Sequence, residues 1–233
     1  MTAAADQPTG APLPGWTPPP APGRRVMAGR LVRLEPLTAD HAAALHAANT
    51  AAPNWTYLPY GPYATPAAYE EWVSEVSRHA DPLFFAVIDP AEGPLGVASY
   101  LRITPASGSI EVGHINFSPR LQGRPGATEA IFLMMAWAFD AGYRRYEWKC
   151  DALNAPSRRA AQRLGLSYEG IFRQATVVKG RNRDTAWYAA IDAEWPALKA
   201  AFETWLDPAN FDADGRQRRR LSDLTRPLLA ATG

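Results

Sequence analysis

Glu111-Val-Gly-His-Ile-Asn-Phe-Ser-Pro119, the loop Leu121-Gln-Gly-Arg-Pro-Gly-Ala-Thr128, the apolar run Ile131-Phe-Leu-Met-Met-Ala-Trp-Ala-Phe139, and the pair Asn154-Ala-Pro-Ser157 and Arg163-Leu-Gly165 follow one another along the chain. This order reads as a strand, a Gly/Pro loop, a helix over 127–141, a second strand over 143–150 and a short helix over 157–164. Strand, helix and strand at this length form a crossover unit, which joins parallel neighbours with a right-handed connection. A loop that runs straight into a helix offers unpaired N–H groups and a positive dipole end to an anion such as a pyrophosphate. A helix apolar nearly all round packs on a sheet, which holds that N-terminus in place.

Three strand-like segments precede the unit, at 83–89, 95–104 and 109–118, separated by the turns Pro90-Ala-Glu-Gly-Pro94 and Pro105-Ala-Ser-Gly108. They read as an antiparallel meander that runs into a parallel pair. Further upstream, Leu31, Val32 and Leu34 are strand-like, and Thr38-Ala-Asp-His41 starts a helix over 42–49. An aromatic loop, Asn54 to Tyr63, leads to a helix from Thr65-Pro66 with Tyr69, Trp72, Val73 and Val76 at helical spacing. Downstream, segments 168–178 and 184–192 are strands joined by Lys179-Gly-Arg-Asn182, and a helix begins near Ala193-Glu-Trp-Pro196. The fold class expected is α+β: a mixed, mostly antiparallel sheet with one parallel pair, flanked by helices.

The chain has 233 residues, enough for one sizeable core. Residues 1–24 form an Ala/Pro-rich leader expected to be flexible unless Trp16 docks; 25–206 form the domain; 207–233 form a tail whose Arg216-Gln-Arg-Arg-Arg220 run reads as a solvated face. A formal net charge of +1 argues against bulk attraction to nucleic acid or membrane, so anion binding must be local. The single cysteine, Cys150, excludes an intramolecular disulfide and a multi-cysteine zinc site, and reads as a small buried strand residue. No metal is expected. No apolar run is long enough to span a bilayer and no secretion signal is visible, so the expected location is the cytoplasm.

In Asn154-Ala-Pro-Ser157, Asn154 is a good N-cap and Gly165 a stop, and capping accounts for both. What capping does not require is two polar side chains beside the end of a parallel strand, where open sheets commonly bind ligands. Taken together, the segments from Glu111 to Gly165 resemble the GCN5-related N-acetyltransferases (GNAT), and more narrowly the RimJ/RimL branch of ribosomal-protein N-terminal acetyltransferases. The resemblance covers about residues 29–205. It implies acetyl-CoA as co-substrate, an amine acceptor, and the acyl-CoA N-acyltransferase fold.

Carried residue by residue, the resemblance places the pyrophosphate loop on Gln122, Gly123, Arg124, Pro125, Gly126 and Ala127, with Phe117 and Thr128 beside it. Pro125 stands where the family usually has glycine, and proline donates no N–H. Asn154 would bond the pantetheine arm, Ser157 would protonate the departing thiolate, and Arg158 is a candidate for CoA phosphates.

Acetyl transfer to an amine needs a base. Glu111 and His114 are both candidates; three positions apart on a regular strand, they point to opposite faces unless a bulge intervenes. The resemblance favours Glu111, the neutral-range pKa of histidine favours His114. For the acceptor, Trp55, Tyr57, Tyr60 and Tyr63 form either an aromatic wall or a cover for the sheet, and Arg173, Lys179, Arg181, Arg183 and Asp184 are either contacts or hairpin-tip residues. Three functions follow: an acetyltransferase acting on a protein N-terminus or small amine, as a monomer or a homodimer; a non-catalytic acyl-CoA sensor; or a nucleic-acid-associated protein working through Arg216 to Arg220.

Overall fold

The computed structural model describes residues 7–233. Eight strands form one sheet in the order β1-β2-β3-β4-β5-β6-β8-β7. In chain order they are β1 (Met27–Ala28), β2 (Arg33–Pro36), β3 (Leu83–Asp89), β4 (Gly93–Thr104), β5 (Ser109–Phe117), β6 (Arg145–Asp151), β7 (Ser167–Val178) and β8 (Arg181–Ile191). Every pairing is antiparallel except β5 with β6, so the meander does run into a single parallel pair. The helices are α1 (Ala42–Ala48), α2 (Pro66–Val76), α3 (Pro125–Asp140), α4 (Ala155–Arg163), α5 (Trp195–Leu206) and α6 (Leu221–Thr225). Among the described residues no helix is long and apolar enough to cross a membrane.

Alternation along the strands divides the molecule into two cores. Leu83, Phe85 and Val87 face α3, α4 and α5, whereas Phe84, Ala86 and Ile88 face α1 and α2. At roughly 1.5–3 kcal/mol for each large apolar side chain taken out of water, these cores are the main stabilising term. Thr65 caps α2 by accepting the Ala68 N–H at 3.2 Å, with Pro66 at the first helical position.

The start of α3 is held from two sides. Gly126 leaves no room for a side chain, because a Cβ there would lie 2.8 Å from Val32 Cγ1. The Glu129 carboxylate accepts three consecutive N–H groups, from Arg30 (3.0 Å), Leu31 (2.6 Å) and Val32 (2.8 Å), and so fastens the β1–β2 turn to the helix.

The ends of the chain pack as well. The Trp16 ring lies against Gly108, whose φ is +65° and whose absent Cβ makes the contact possible, and beside the Arg144 guanidinium. The Tyr143 hydroxyl donates to Pro20 O at 3.1 Å. Past α5, Asn210 bonds Trp205 O and Arg219, α6 docks on α4 and α5, and residues 230 and 231 bond Ser167 and Tyr168 at the start of β7.

Candidate active site

The parallel ladder runs from Ser109 with Arg145 to Val112 with Trp148 and stops there, although β5 continues to Phe117 and β6 to Asp151. The strands therefore part, and the sheet opens between residues 113–117 and 149–151. Helices α3 and α4 both begin beyond this end, so two positive helix termini converge on one face of the opening.

A bulge lies on the β5 side of the opening. Ser99 pairs with Gly113 and Val97 with Asn116, so His114 and Ile115 together oppose Ala98, and His114 takes a φ of +50°. This bulge is the exception that lets Glu111 and His114 share a face, where regular alternation would put them on opposite ones. The bulge turns His114 onto the α1/α2 face, where its ring stacks on Tyr60 (centroids 5.5 Å, 17°) and meets Phe84 at 5.2 Å. Glu111 lies on that same face, in register with Glu147.

The two candidate bases differ in what surrounds them. Glu111 is 3% exposed, and its carboxylate is held by Arg102 Nη1 at 2.7 and 2.8 Å and by Lys149 Nζ at 2.9 Å. Lys149 reaches Glu147 at 2.7 Å and sits 3.7 Å from the centre of the Trp187 ring. His114 makes no side-chain hydrogen bond among the described residues. Burial above all, then the charges of Arg102 and Arg183 against a small opposite effect of Asp81, brings its pKa down to about 4, so the ring is neutral near pH 7.

On the opposite face, the Asn154 side chain accepts the Ser157 N–H at 3.1 Å, the cap the sequence implies. The Ser157 hydroxyl accepts the Trp148 indole N–H at 3.0 Å and keeps its own proton to donate. It also touches Cys150, a buried thiol that burial pushes up and the Ser157 contact pulls down. Arg158 is turned inward, donating to Tyr188 Oη (3.1 Å) and Ala152 O (3.2 Å).

The loop before α3 is tightly wound. The amides of Gln122, Arg124 and Ala127 are spent on Ser118, Leu121 and Arg124 carbonyls, and among the described residues those of Gly123 and Gly126 have no acceptor. The Gln122 side chain binds Asn54 Oδ1 (2.6 Å) and Phe117 O (2.7 Å), and Asn54 in turn donates to Asn116 Oδ1 (2.6 Å). Thr128 is placed away from the loop: it lies on the buried side of α3, and its hydroxyl accepts from Arg163 at 3.0 Å. Arg124 is ion-paired with Glu92, as is Arg120. At the end of β5 the Asn116 Nδ2 and Ser118 Oγ atoms are buried and have no partner among the described residues. With the two glycine amides they supply unused donors for phosphate or pantetheine oxygens, so the residues present fit acetyl-CoA.

Of the proposed acceptor wall, Trp55 is buried at the centre of a ring cluster with Tyr60, Tyr63 and Tyr69, its indole donating to Asn49 O at 2.9 Å. Tyr63 packs within that cluster, and Tyr60 is the member that reaches His114. Arg173 stands exposed on a bulge of β7, beside Asp184 and Phe172, and Phe172 stacks on Trp187 at 4.3 Å. Lys149, Arg102 and Trp187 are the neighbours that sequence reasoning passes over. The alternation Arg145-Tyr-Glu-Trp-Lys-Cys-Asp151 already puts Glu147 and Lys149 on one face, and was the available signal.

A mixed sheet that opens along its one parallel pair, with two helix N-termini on one side and ionisable side chains on the other, defines an acyl-CoA N-acyltransferase fold. The chain belongs to the GNAT family of acetyl-CoA-dependent acyltransferases: the family model "Acetyltransferase (GNAT) domain" matches residues 31–167. It is similar to a GCN5-related N-acetyltransferase from Brucella melitensis, with 51% identity and a TM-score of 0.90 over 92% of this chain and all of that one. It is also similar to the uncharacterized N-acetyltransferase YnaD of Bacillus subtilis, 27% identical over 88 residues; the match takes in 37% of this chain and 51% of that protein, about half its length. RimL, a ribosomal L7/L12 alpha-N-protein acetyltransferase solved with coenzyme A, shares the fold at 20% identity and a TM-score of 0.59, over 72% of this chain and 98% of that one.

Proposed function

We propose that this protein transfers the acetyl group of acetyl-CoA to a primary amine by direct attack. The observation that carries the reading is the opening in the sheet, with Ser157 and two helix N-termini on one face and His114 beside Glu111 on the other. RimL, which shares the fold and binds CoA in its own structure, supports the same reading.

Bound acetyl-CoA supplies an acetyl thioester. The Gly123 and Gly126 amides, with Asn116 and Ser118, hold its phosphates and pantetheine arm; the free amide nitrogen of Asn154 reaches the same arm. His114 takes a proton from the attacking nitrogen, which becomes a stronger acid once bonded to the carbonyl carbon, so a weakly basic imidazole suffices. As the C–N bond forms and the C–S bond breaks, the Ser157 hydroxyl passes its proton to the thiolate and regains one from water, and His114 returns the amine's proton to solvent, so that amine and thioester give amide and free thiol. Glu111 stays paired with Arg102 and Lys149 and sets the charge of the chamber.

The test is release of CoA by the purified protein with a broad panel of primary amines, alongside acetyl-CoA binding. Absence of binding at millimolar acetyl-CoA refutes the reading. Saturable binding without turnover favours the non-catalytic acyl-CoA module instead, a reading supported by Pro125 and by the few amides the loop leaves free.

A further inference from the structure

The face of the opening that bears His114 contains three buried polar atoms without a hydrogen-bond partner among the described residues: Arg183 Nε, Trp187 Nε1 and the Tyr60 hydroxyl. Two of the three are pure donors, and the third can donate. Arg183 and Trp187 alternate onto the same face of β8, the face that carries Lys149 across the β6–β8 ladder. Arg183 lies near enough to His114 for its charge to be felt there, from the far side of the opening. Its side chain makes no ion pair or hydrogen bond among the described residues, whereas Arg102 and Lys149 are both matched to Glu111. Among the described residues this face thus holds one unmatched cation and a surplus of donors.

A simple alkylamine brings only donors and positive charge to such a place. A carboxylate brings acceptors, and a half-buried guanidinium without an acidic partner binds it through charge-assisted bonds. Lys179, at the tip of the β7–β8 hairpin, donates to Trp55 O at 2.9 Å, and the Tyr57 hydroxyl donates to Leu153 O at 3.3 Å. The aromatic loop is thereby tied to both far rims of the opening, which narrows the approach for an acceptor.

We infer that the acceptor is a small amine that also carries a carboxylate, and that Arg183, with the Trp187 indole and the Tyr60 hydroxyl, forms the subsite for that carboxylate. This rests on the acetyl-transfer reading above and narrows it to a substrate class.

The experiment pairs each acid with its neutral twin: alanine and alaninamide, β-alanine and its amide, 4-aminobutyrate and its amide, glutamate and glutamine, with a decapeptide bearing a free N-terminus as the macromolecular arm. CoA release by the full chain is expected to show kcat/KM at least about tenfold higher for an acid than for its amide. Arg183→Gln is expected to erase that ratio through a higher KM for the acid, and Arg183→Lys to restore part of it. Equal use of acid and amide overturns the inference, as does a ratio that survives Arg183→Gln or a decapeptide used better than every small acid. In parallel, tryptophan fluorescence of the CoA-loaded protein is titrated with the same pairs. Failure of every amine to release CoA refutes the acetyl-transfer reading alone, and the titration still decides the subsite: acid-selective binding lost in Arg183→Gln supports it, equal binding overturns it.

Discussion

Replacing His114 with Asn tests whether the bulge has buried a neutral imidazole. Asparagine tolerates the left-handed backbone at this position, so the fold is retained while the titrating group is removed. The folded pKa of about 4 lies below the ordinary 6.5, so protons bind the unfolded chain more readily. Stability from this group is fully present above pH 6.5 and is lost as pH falls toward 4. At about 1.4 kcal/mol per pH unit, the interval from 6.5 to about 4 amounts to about 3 kcal/mol in full, of which about 2 kcal/mol is lost by pH 5. Urea unfolding of both proteins at pH 7.5, 5 and 4 reads this directly, because titrations common to the two cancel in the difference. The wild type is expected to lose about 2 kcal/mol more than His114→Asn between pH 7.5 and 5, and about 3 by pH 4. Parallel pH dependence in the two proteins would refute the burial argument and return His114 to the list of ordinary solvent-facing histidines.

Glu111→Gln leaves Lys149 and Arg102 with one counter-charge fewer; because Lys149 keeps Glu147 and Arg102 faces solvent, the expected loss is about 2–3 kcal/mol, below that of a dry pair, and an unchanged denaturation midpoint would contradict it. Asn154→Ala removes the α4 cap and should cost about 1 kcal/mol while raising KM for acetyl-CoA; a stability loss with no change in KM would leave Asn154 as a cap only. Gly126→Ala forces a methyl to within 2.8 Å of Val32, and overpacking of about 1–3 kcal/mol is expected with weaker CoA binding, measured by thermal unfolding and isothermal titration. Ser157→Ala should lower kcat with little effect on either KM, and an unaltered kcat would remove Ser157 from proton delivery.

The elements legible from the chain are those written in local code. The Gly/Pro loop before an apolar helix, the meander turns and the Thr65-Pro66 helix start all stand where turn and cap chemistry place them, and β3 spans 83–89 as its pattern implies. Boundaries move where pairing outlasts composition: β4 begins at Gly93 because its ladder with Asp89 closes the hairpin. The five-residue α6 carries too little pattern of its own, and its burial comes from packing on α4 and α5. The site was less readable for the same reason. The facing of His114 depends on one extra residue opposite Ala98, the Gln122 side chain is drawn to Asn54 sixty-eight positions away, and Thr128 turns toward Arg163 on another helix. These are long-range relations that no single segment encodes.

The Glu129 clamp sets a practical limit on where the polypeptide can be shortened or fused. A truncation ending ahead of Arg24 spares the three N–H groups that its carboxylate holds, and removes the Trp16, Pro19 and Pro20 contacts. A truncation carried past Val32 leaves a buried carboxylate facing no donor at the foot of the helix that opens onto the cofactor loop. Tags and reporters therefore belong before residue 16, and a shortened version that expresses well yet fails to bind CoA would point first to the missing β1–β2 turn rather than to any residue lining the opening.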